Sequence, residues 1–392
     1  MKSLKADQFR HARGLVEGGL PFAALFLFIF LVSLSFSCRD TQTEKTGTKK
    51  PEARKEDNEK PRLASLEPHL AAARELDPDP VGKRLMETGN YEKAADYYQG
   101  LMSRKPDDIT ACIGQGQALC MMGKTREALS AYTECAHRHP ESSPVYVARG
   151  LCKQMSGGNF KTPPERDFQK AISIDPSNSS AHNQLGLVYQ AKGELQDAED
   201  EFRMAIAYEP DFFVAYNNLA IVLISRGKYG EAISLLQKAI SFKADLREMY
   251  LYTNLGIAFL KSGKTQRAEA AFLMETAINP QHLPAHLYLG NLYVLNGRYQ
   301  DAIQEYKRVL LSKPENRQAL INLGATYIMT EDHQNAIKIL KKAARLYPDS
   351  ALVHFHLARA YRKTGRNDNA RKEMQKARDL GYSPKPDSPQ RR

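Results

Sequence analysis

The chain has 392 residues, of which 42% are hydrophobic and 26% charged. That is enough apolar content to form a core, which sets the chain apart from a wholly disordered one. The formal net charge is +11, but no recognised nucleic-acid-binding module accompanies it, and nucleic acid is not an expected partner.

Residues 1–17 are polar and mostly basic, with Lys2, Lys5, Arg10 and Arg13. Residues 18–37 carry no charge, and Cys38 follows directly. A basic head, an apolar core and a small residue before a cysteine read as an export signal or membrane anchor over 1–37. The boundary is similar to the lipobox of bacterial lipoproteins, where cleavage between Ser37 and Cys38 would leave Cys38 acylated as the new N-terminus. Ser37 is suitably small; Phe36 is bulky, and the leucine stands one place early at Leu34. An apolar stretch of about 20 residues would also span a bilayer uncleaved. A third reading is cleaved, soluble export. All three put the remainder outside the cytoplasm, because the positive charges precede the apolar segment. Residues 38–74 are a tether dense in Lys, Glu, Thr and Pro that cannot bury enough surface to order itself. At its end, 63–76 presents Leu63, Leu66, Leu70, Ala73 and Leu76 at helical spacing, a candidate capping helix.

From residue 75 to residue 384 a unit of 34 residues recurs about nine times. The clearest copy starts at Ser179 and carries Leu185, Gly186, Tyr189, Gly193, Ala198, Phe202, Ala205 and Pro210. Later copies repeat it as Leu219, Ala220, Gly227, Ala232, Leu236 and Ala239; as Leu255, Gly256, Gly263, Ala268, Phe272 and Pro280; and as Leu289, Gly290, Tyr293, Gly297, Ala302, Tyr306 and Pro314. Earlier copies are more ragged, marked by Gly82, Gly89, Ala94 and Tyr98, by Gly116, Gly123, Ala128 and Tyr132, and by Gly150, Gly157, Phe168 and Ala171. Apolar residues three and four apart within each half predict two helices with one buried stripe each. Small residues at unit positions 8, 20 and 27 mark close helix approach. Gly near position 15 would end the first helix in the left-handed conformation, and Pro at position 32 would close the second. Residues 385–392 form a polar tail.

This pattern resembles the tetratricopeptide repeat. The resemblance implies an all-α, right-handed superhelical solenoid of about nine helix-turn-helix units that serves protein or peptide binding, with no cofactor. Departures mark weak points. Glu275 stands where position 27 should be small, and would tilt or shift its helix. Pro163-Pro164 delays the second helix of the third copy, with Thr162 as its expected cap. Pro78 and Pro80 clip the first helix of the first copy. The irregular copies before residue 178 are expected to open more readily than the rest.

Charge is unevenly spread. Residues 179–212 hold seven acidic and two basic residues, a net of −5, whereas 351–384 hold eight basic and three acidic, a net of +5. Cys112 and Cys120 lie about 12 Å apart on one helix, too far to bridge each other. Cys135 and Cys152 read as buried thiols, with a bridge between those two left open. Gly123-Lys124-Thr125 and Gly263-Lys264-Thr265 lack the upstream glycine and preceding strand of a phosphate loop, so they read as helix stops. The pairs His137/His139 and His354/His356 are two apart on helices, and His282/His286 straddles Pro284, so no metal site is expected. No catalytic constellation stands out.

In tetratricopeptide repeats the first helix of each unit lines the binding groove. By that resemblance this chain presents Asn183, Gln184, Asn217, Asn218, Thr253, Asn254, Asn291 and Asn322, followed by Arg359, Arg362 and Lys363. A row of amides carries donors and acceptors for an extended peptide backbone, and is similar to the asparagine ladder of O-GlcNAc transferase. The plainer reading is that Asn at position 6 is only a family habit. The favoured function is a non-enzymatic, membrane-anchored scaffold that binds peptide segments of a cell-envelope assembly or secretion machine. The alternative is a client-presenting subunit of a transferase or protease whose catalytic part is a separate protein.

Overall fold

The computed structural model describes residues 79–158, 160, 162–242 and 250–382. The export segment, Cys38, the tether, the candidate capping helix, the Arg247-Glu248 insertion and the C-terminal tail lie outside them. The described residues form eighteen helices and no strand, numbered here α1 to α18. The chain divides into two compact units between Pro280 and Gln281.

The first unit holds six helix pairs: α1 (Pro80–Glu87) with α2 (Tyr91–Arg104), α3 (Ile109–Met121) with α4 (Thr125–Arg138), α5 (Ser143–Ser156) with α6 (Pro164–Ile174), α7 (Ser179–Lys192) with α8 (Leu195–Tyr208), α9 (Phe213–Ser225) with α10 (Tyr229–Ser241), and α11 (Leu251–Lys261) with α12 (Thr265–Ile278). The second holds three: α13 (Leu283–Leu295) with α14 (Tyr299–Ser312), α15 (Arg317–Met329) with α16 (His333–Leu346), and α17 (Ala351–Lys363) with α18 (Asn367–Asp379). In each unit every helix packs on its neighbour in sequence, so each repeat contacts the next and the core is built stepwise.

The small positions have a direct cause. A large ring from the second helix lies flat on the glycine of the first: a Cβ added at Gly186 would sit 2.7 Å from Phe202, and one at Gly290 would sit 2.5 Å from Tyr306. Those rings are fully buried, as are Ala198, Ala205 and Ala302 around them. The first helix stops where expected, with Gly193 at φ 82°. In the eighth repeat the left-handed residue is Glu331, at φ 59°, where no glycine is present.

Two expected weak points resolve differently. Glu275 is buried, yet α12 runs unbroken for 14 residues. Its carboxylate accepts the backbone N–H of Thr253 at 3.1 Å and the Asn279 amide at 2.6 Å. The group therefore serves the first turn of α11, where backbone donors lack helical partners, and no tilt is needed. Thr162 does not cap α6: the cap position is Pro163, and Thr162 Oγ1 accepts from Lys153 Nζ at 2.8 Å. The late start of α6 is secured by Asp167, which is buried and pairs with Arg149 and Lys153, each at 2.7 Å. The first helix is clipped as expected to eight residues, capped by Asp79, which accepts from Val81 N and Gly82 N.

The four cysteines among the described residues are paired rather than free. Cys112 bonds Cys135 within the α3–α4 pair, and Cys120 bonds Cys152 between α3 and α5, with Cα separations of 6.0 and 5.9 Å. Cys135 and Cys152 are thus each in a disulfide, but not with one another. Position 4 of a first helix faces position 27 of its own second helix, a proximity set by hairpin geometry rather than by sequence distance.

Candidate interaction surface

The amides of the first helices meet each other across repeats. Asn218 Nδ2 donates to Asn183 Oδ1 at 2.9 Å, and Asn254 Nδ2 donates to Asn217 Oδ1 at 2.8 Å. In the second unit Asn322 Nδ2 donates to Asn291 Oδ1 at 2.9 Å. In each pair the donor stands at position 6 of a repeat and the acceptor on the preceding first helix. Asn291 Oδ1 also accepts from the Tyr306 hydroxyl at 2.7 Å, and Gln318 donates to Asn322 Oδ1 at 2.9 Å. Asn183, Gln184, Asn218, Asn291 and Asn322 are buried; Asn217 and Asn254 are half-buried. Amides that only lined an open groove would be solvated in the absence of a partner. They are instead staples between consecutive first helices, because adjacent helices bring position 6 within hydrogen-bond reach of the helix before it.

Beside these pairs, Leu187, Ile221 and Ile257 stand half-buried at position 9 of α7, α9 and α11. Each of these three repeats thus contributes one aliphatic side chain to a strip alongside its amides. In the second unit position 9 becomes Asn291, Ala325 and then Arg359. Arg359 is half-buried, with its guanidinium 5.7 Å from the Phe355 ring centroid. Burial, and then the charge of Arg362, pulls its pKa below the ordinary guanidinium value. Arg362 and Lys363 are exposed on the following turn. His356, buried beneath, is pushed down to about 3 by burial and by Arg359, so it adds no charge there at neutral pH.

A second recurring feature was not singled out in the sequence. His182, His286 and His354, each at position 4, bring Nδ1 to 2.5–2.6 Å from Glu201, Glu305 and Glu373, each at position 23. His182 and His354 also bring Nε2 to a carbonyl of the preceding turn, Pro176 at 3.0 Å and Pro348 at 2.8 Å. With acceptors on both nitrogens, the His182 ring is satisfied only as the doubly protonated imidazolium. Burial lowers the His182 pKa, but the Glu201 and Pro176 hydrogen bonds outweigh it and the net shift is upward. The 19-residue interval between His and Glu, seen three times, was the available signal. Elsewhere, buried Glu199 gathers Arg203, Arg226 and Lys228. These are structural clamps. Among the described residues no group of three His, Cys, Asp or Glu side chains could hold a metal ion, and no helix is long and apolar enough to cross a membrane.

Comparison with known proteins bears on this arrangement. Family models described as tetratricopeptide repeat match residues 114–142, 168–200, 214–244, 253–318, 287–351 and 327–382. No curated protein matches the chain. Similar solved structures include PilF of Pseudomonas aeruginosa, 26% identical over 55% of this chain and 96% of that one, with a TM-score of 0.48. YrrB, described as a TPR protein with an unusual peptide-binding site, is 22% identical over 47% of this chain and 95% of its own, with a TM-score of 0.39. A MamA structure is 27% identical over 42% and 96%, with a TM-score of 0.38. With helix pairs stacked one on the next, small residues at each crossing, and family matches over more than half its length, the chain belongs to the tetratricopeptide repeat family and is a protein–protein interaction scaffold.

Proposed function

We propose that this scaffold is non-enzymatic, is held at a membrane on the extracytoplasmic side through Cys38, and binds peptide segments of a cell-envelope assembly or secretion machine. The observation that carries the peptide reading is the strip on α7, α9 and α11. Leu187, Ile221 and Ile257 offer one aliphatic contact per repeat beside the paired amides. Packed helices lie about 8–10 Å apart, which is about three residues of extended chain at about 3.3 Å each. A segment lying across the first helices would thus set one side chain on each aliphatic residue. Export is supported by the uncharged stretch before Cys38 and by the pairing of all four described cysteines, since disulfides persist in oxidising compartments.

Two measurements test the proposal. Photocrosslinking residues at Ile221 and Ile257 should trap the same envelope protein, whereas one at Leu311, on the second helix α14, should not. Absence of a shared adduct removes the peptide reading. Labelling with a fatty-acid analogue should mark the wild type and not Cys38→Ala; equal labelling of the two, or none in either, removes the lipid anchor.

A further inference from the structure

The three helices at the end of the second unit enclose a cleft of about 390 Å³. Its rim is cationic, with Lys341 and Arg345 from α16 and Lys376 from α18; its floor is apolar, with Ala344, Leu357 and Tyr361. Glu373 pairs with His354 and with Lys376 at 3.1 Å. Lys341 and Arg345 have no ion-pair partner among the described residues, and both are exposed. The site therefore suits an occupant that combines carboxylates with a large apolar side chain.

The chain itself carries such a surface. On α8, Asp197, Asp200, Met204 and Tyr208 follow one another at spacings of three, four and four, which places them on one face. Met204 is 40% and Tyr208 43% exposed, on successive turns. Tyr208 stacks one side of its ring on His182 at 5.6 Å. Asp197 has no ion-pair partner among the described residues, and Asp200 accepts only a neutral amide, from Gln196 at 2.9 Å. Arg203, the one cation on this helix, is engaged by Glu199 and Glu231. Together these give the face an apolar part, Met204 and Tyr208, beside two carboxylates with no cationic partner among the described residues. The charge balance agrees, −5 over residues 179–212 against +5 over residues 351–384.

We propose that the cleft between α16, α17 and α18 receives the Asp197–Tyr208 face of α8 from a second copy of this chain. Met204 and Tyr208 then cover the Leu357–Tyr361 floor while Asp197 and Asp200 meet Lys341 and Arg345. Because the two surfaces differ, a single contact is head-to-tail; used reciprocally by two copies the sites close an isologous pair, and otherwise the contact extends into a ring or chain.

The test uses the full chain purified in detergent and followed by sedimentation. Wild type should associate with rising concentration, and raising salt from about 50 to about 500 mM should weaken association tenfold or more, as expected for an exposed charged contact. The variant Lys341→Glu/Arg345→Glu/Lys376→Glu should be monomeric, and so should Asp197→Lys/Asp200→Lys. Mixed in equal amounts, the two should associate again, since opposite charges then face each other in both contacts. The uncharged pair Met204→Ser/Tyr208→Ser should also weaken association without changing the far-UV circular dichroism. A wild type that stays monomeric at every concentration overturns the proposal, as does a mixture that fails to associate. It is equally overturned if the cleft variant loses binding to phosphatidylglycerol vesicles while neither variant alters self-association, which would assign the cationic rim to an anionic surface.

Discussion

Replacing Asn291 by Ala should destabilise the second unit far more than an open groove amide would allow. Asn291 Oδ1 is the shared acceptor for two buried donors, the Tyr306 hydroxyl at 2.7 Å and Asn322 Nδ2 at 2.9 Å. Removing it leaves both without that partner. An orphaned buried donor costs about 1–3 kcal/mol, so the pair would cost about 2–6 kcal/mol, and partial relaxation puts the expected loss at about 2–4 kcal/mol. Tyr306→Phe removes one donor and leaves Asn291 bonded to Asn322, so it should cost only about 0.5–1.5 kcal/mol. In the double variant only the Asn322 amide is stranded, and the combined loss should fall short of the sum by about 1 kcal/mol or more. The chain contains no tryptophan, so urea unfolding is best followed by circular dichroism, with hydrogen exchange over α13 to α15 locating the loss. An Asn291→Ala variant within about 0.5 kcal/mol of wild type, or milder than Tyr306→Phe, would refute the view that these amides staple the repeats.

Other consequences follow from the same contacts. Gly290→Ala forces a Cβ to within 2.5 Å of the buried Tyr306 ring and should cost about 1–3 kcal/mol. Gly297→Ala meets open space and only a strained φ of 74°, and should cost about 1 kcal/mol; thermal unfolding of the two separates crowding from strain. His182 has a raised folded pKa, so its contribution is fully present below the unfolded value of about 6.5 and is lost as pH rises through the folded value. Melting temperature should therefore fall more steeply as pH rises past about 6.5 for wild type than for His182→Gln. Reducing the disulfides, which close 23 and 32 residues, should remove about 3–4 kcal/mol each in the chain-entropy picture. Hydrogen exchange over residues 109–156 should rise on reduction, and equal protection before and after would contradict it. In the oxidised chain this region should be better protected than its irregular sequence suggests.

The hairpins were legible because their determinants are local and repeated. Gly186 and Phe202 are 16 residues apart in one unit, Gly193 is needed for its backbone angle, and neither depends on anything far away. Contacts between repeats were not legible. Whether Asn218 faces solvent or Asn183 depends on how closely two first helices approach. Likewise Cys120 reaches Cys152 only because α3 lies beside α5. Glu275 misled for a related reason: a carboxylate at a small position is disruptive unless an orphan backbone donor lies opposite, and the N–H of Thr253 is supplied by a different helix. The export segment and Cys38 stand outside the described residues, and their reading rests on the sequence.

The two recurring polar devices have different consequences for specificity. At position 6 the amide is engaged by the previous repeat, so changing it costs stability whatever the partner. At positions 4 and 23 the His–Glu clamp ties a first helix to its own second helix, and likewise has little freedom to vary. At position 9 the aliphatic Leu187, Ile221 and Ile257 make no such bond, and there the chain varies, with Ala325 and Arg359 in the second unit. Asn291 is the exception, held by Tyr306 and Asn322. Partner choice should therefore track substitutions at Leu187, Ile221 and Ile257, whereas changes at Asn218, Asn254 and Asn322 should alter binding only in proportion to the fold they loosen. Ile221→Asp should abolish capture at unchanged melting temperature. An Asn254→Ala variant that loses its partner while melting like wild type would return the amides to the binding surface.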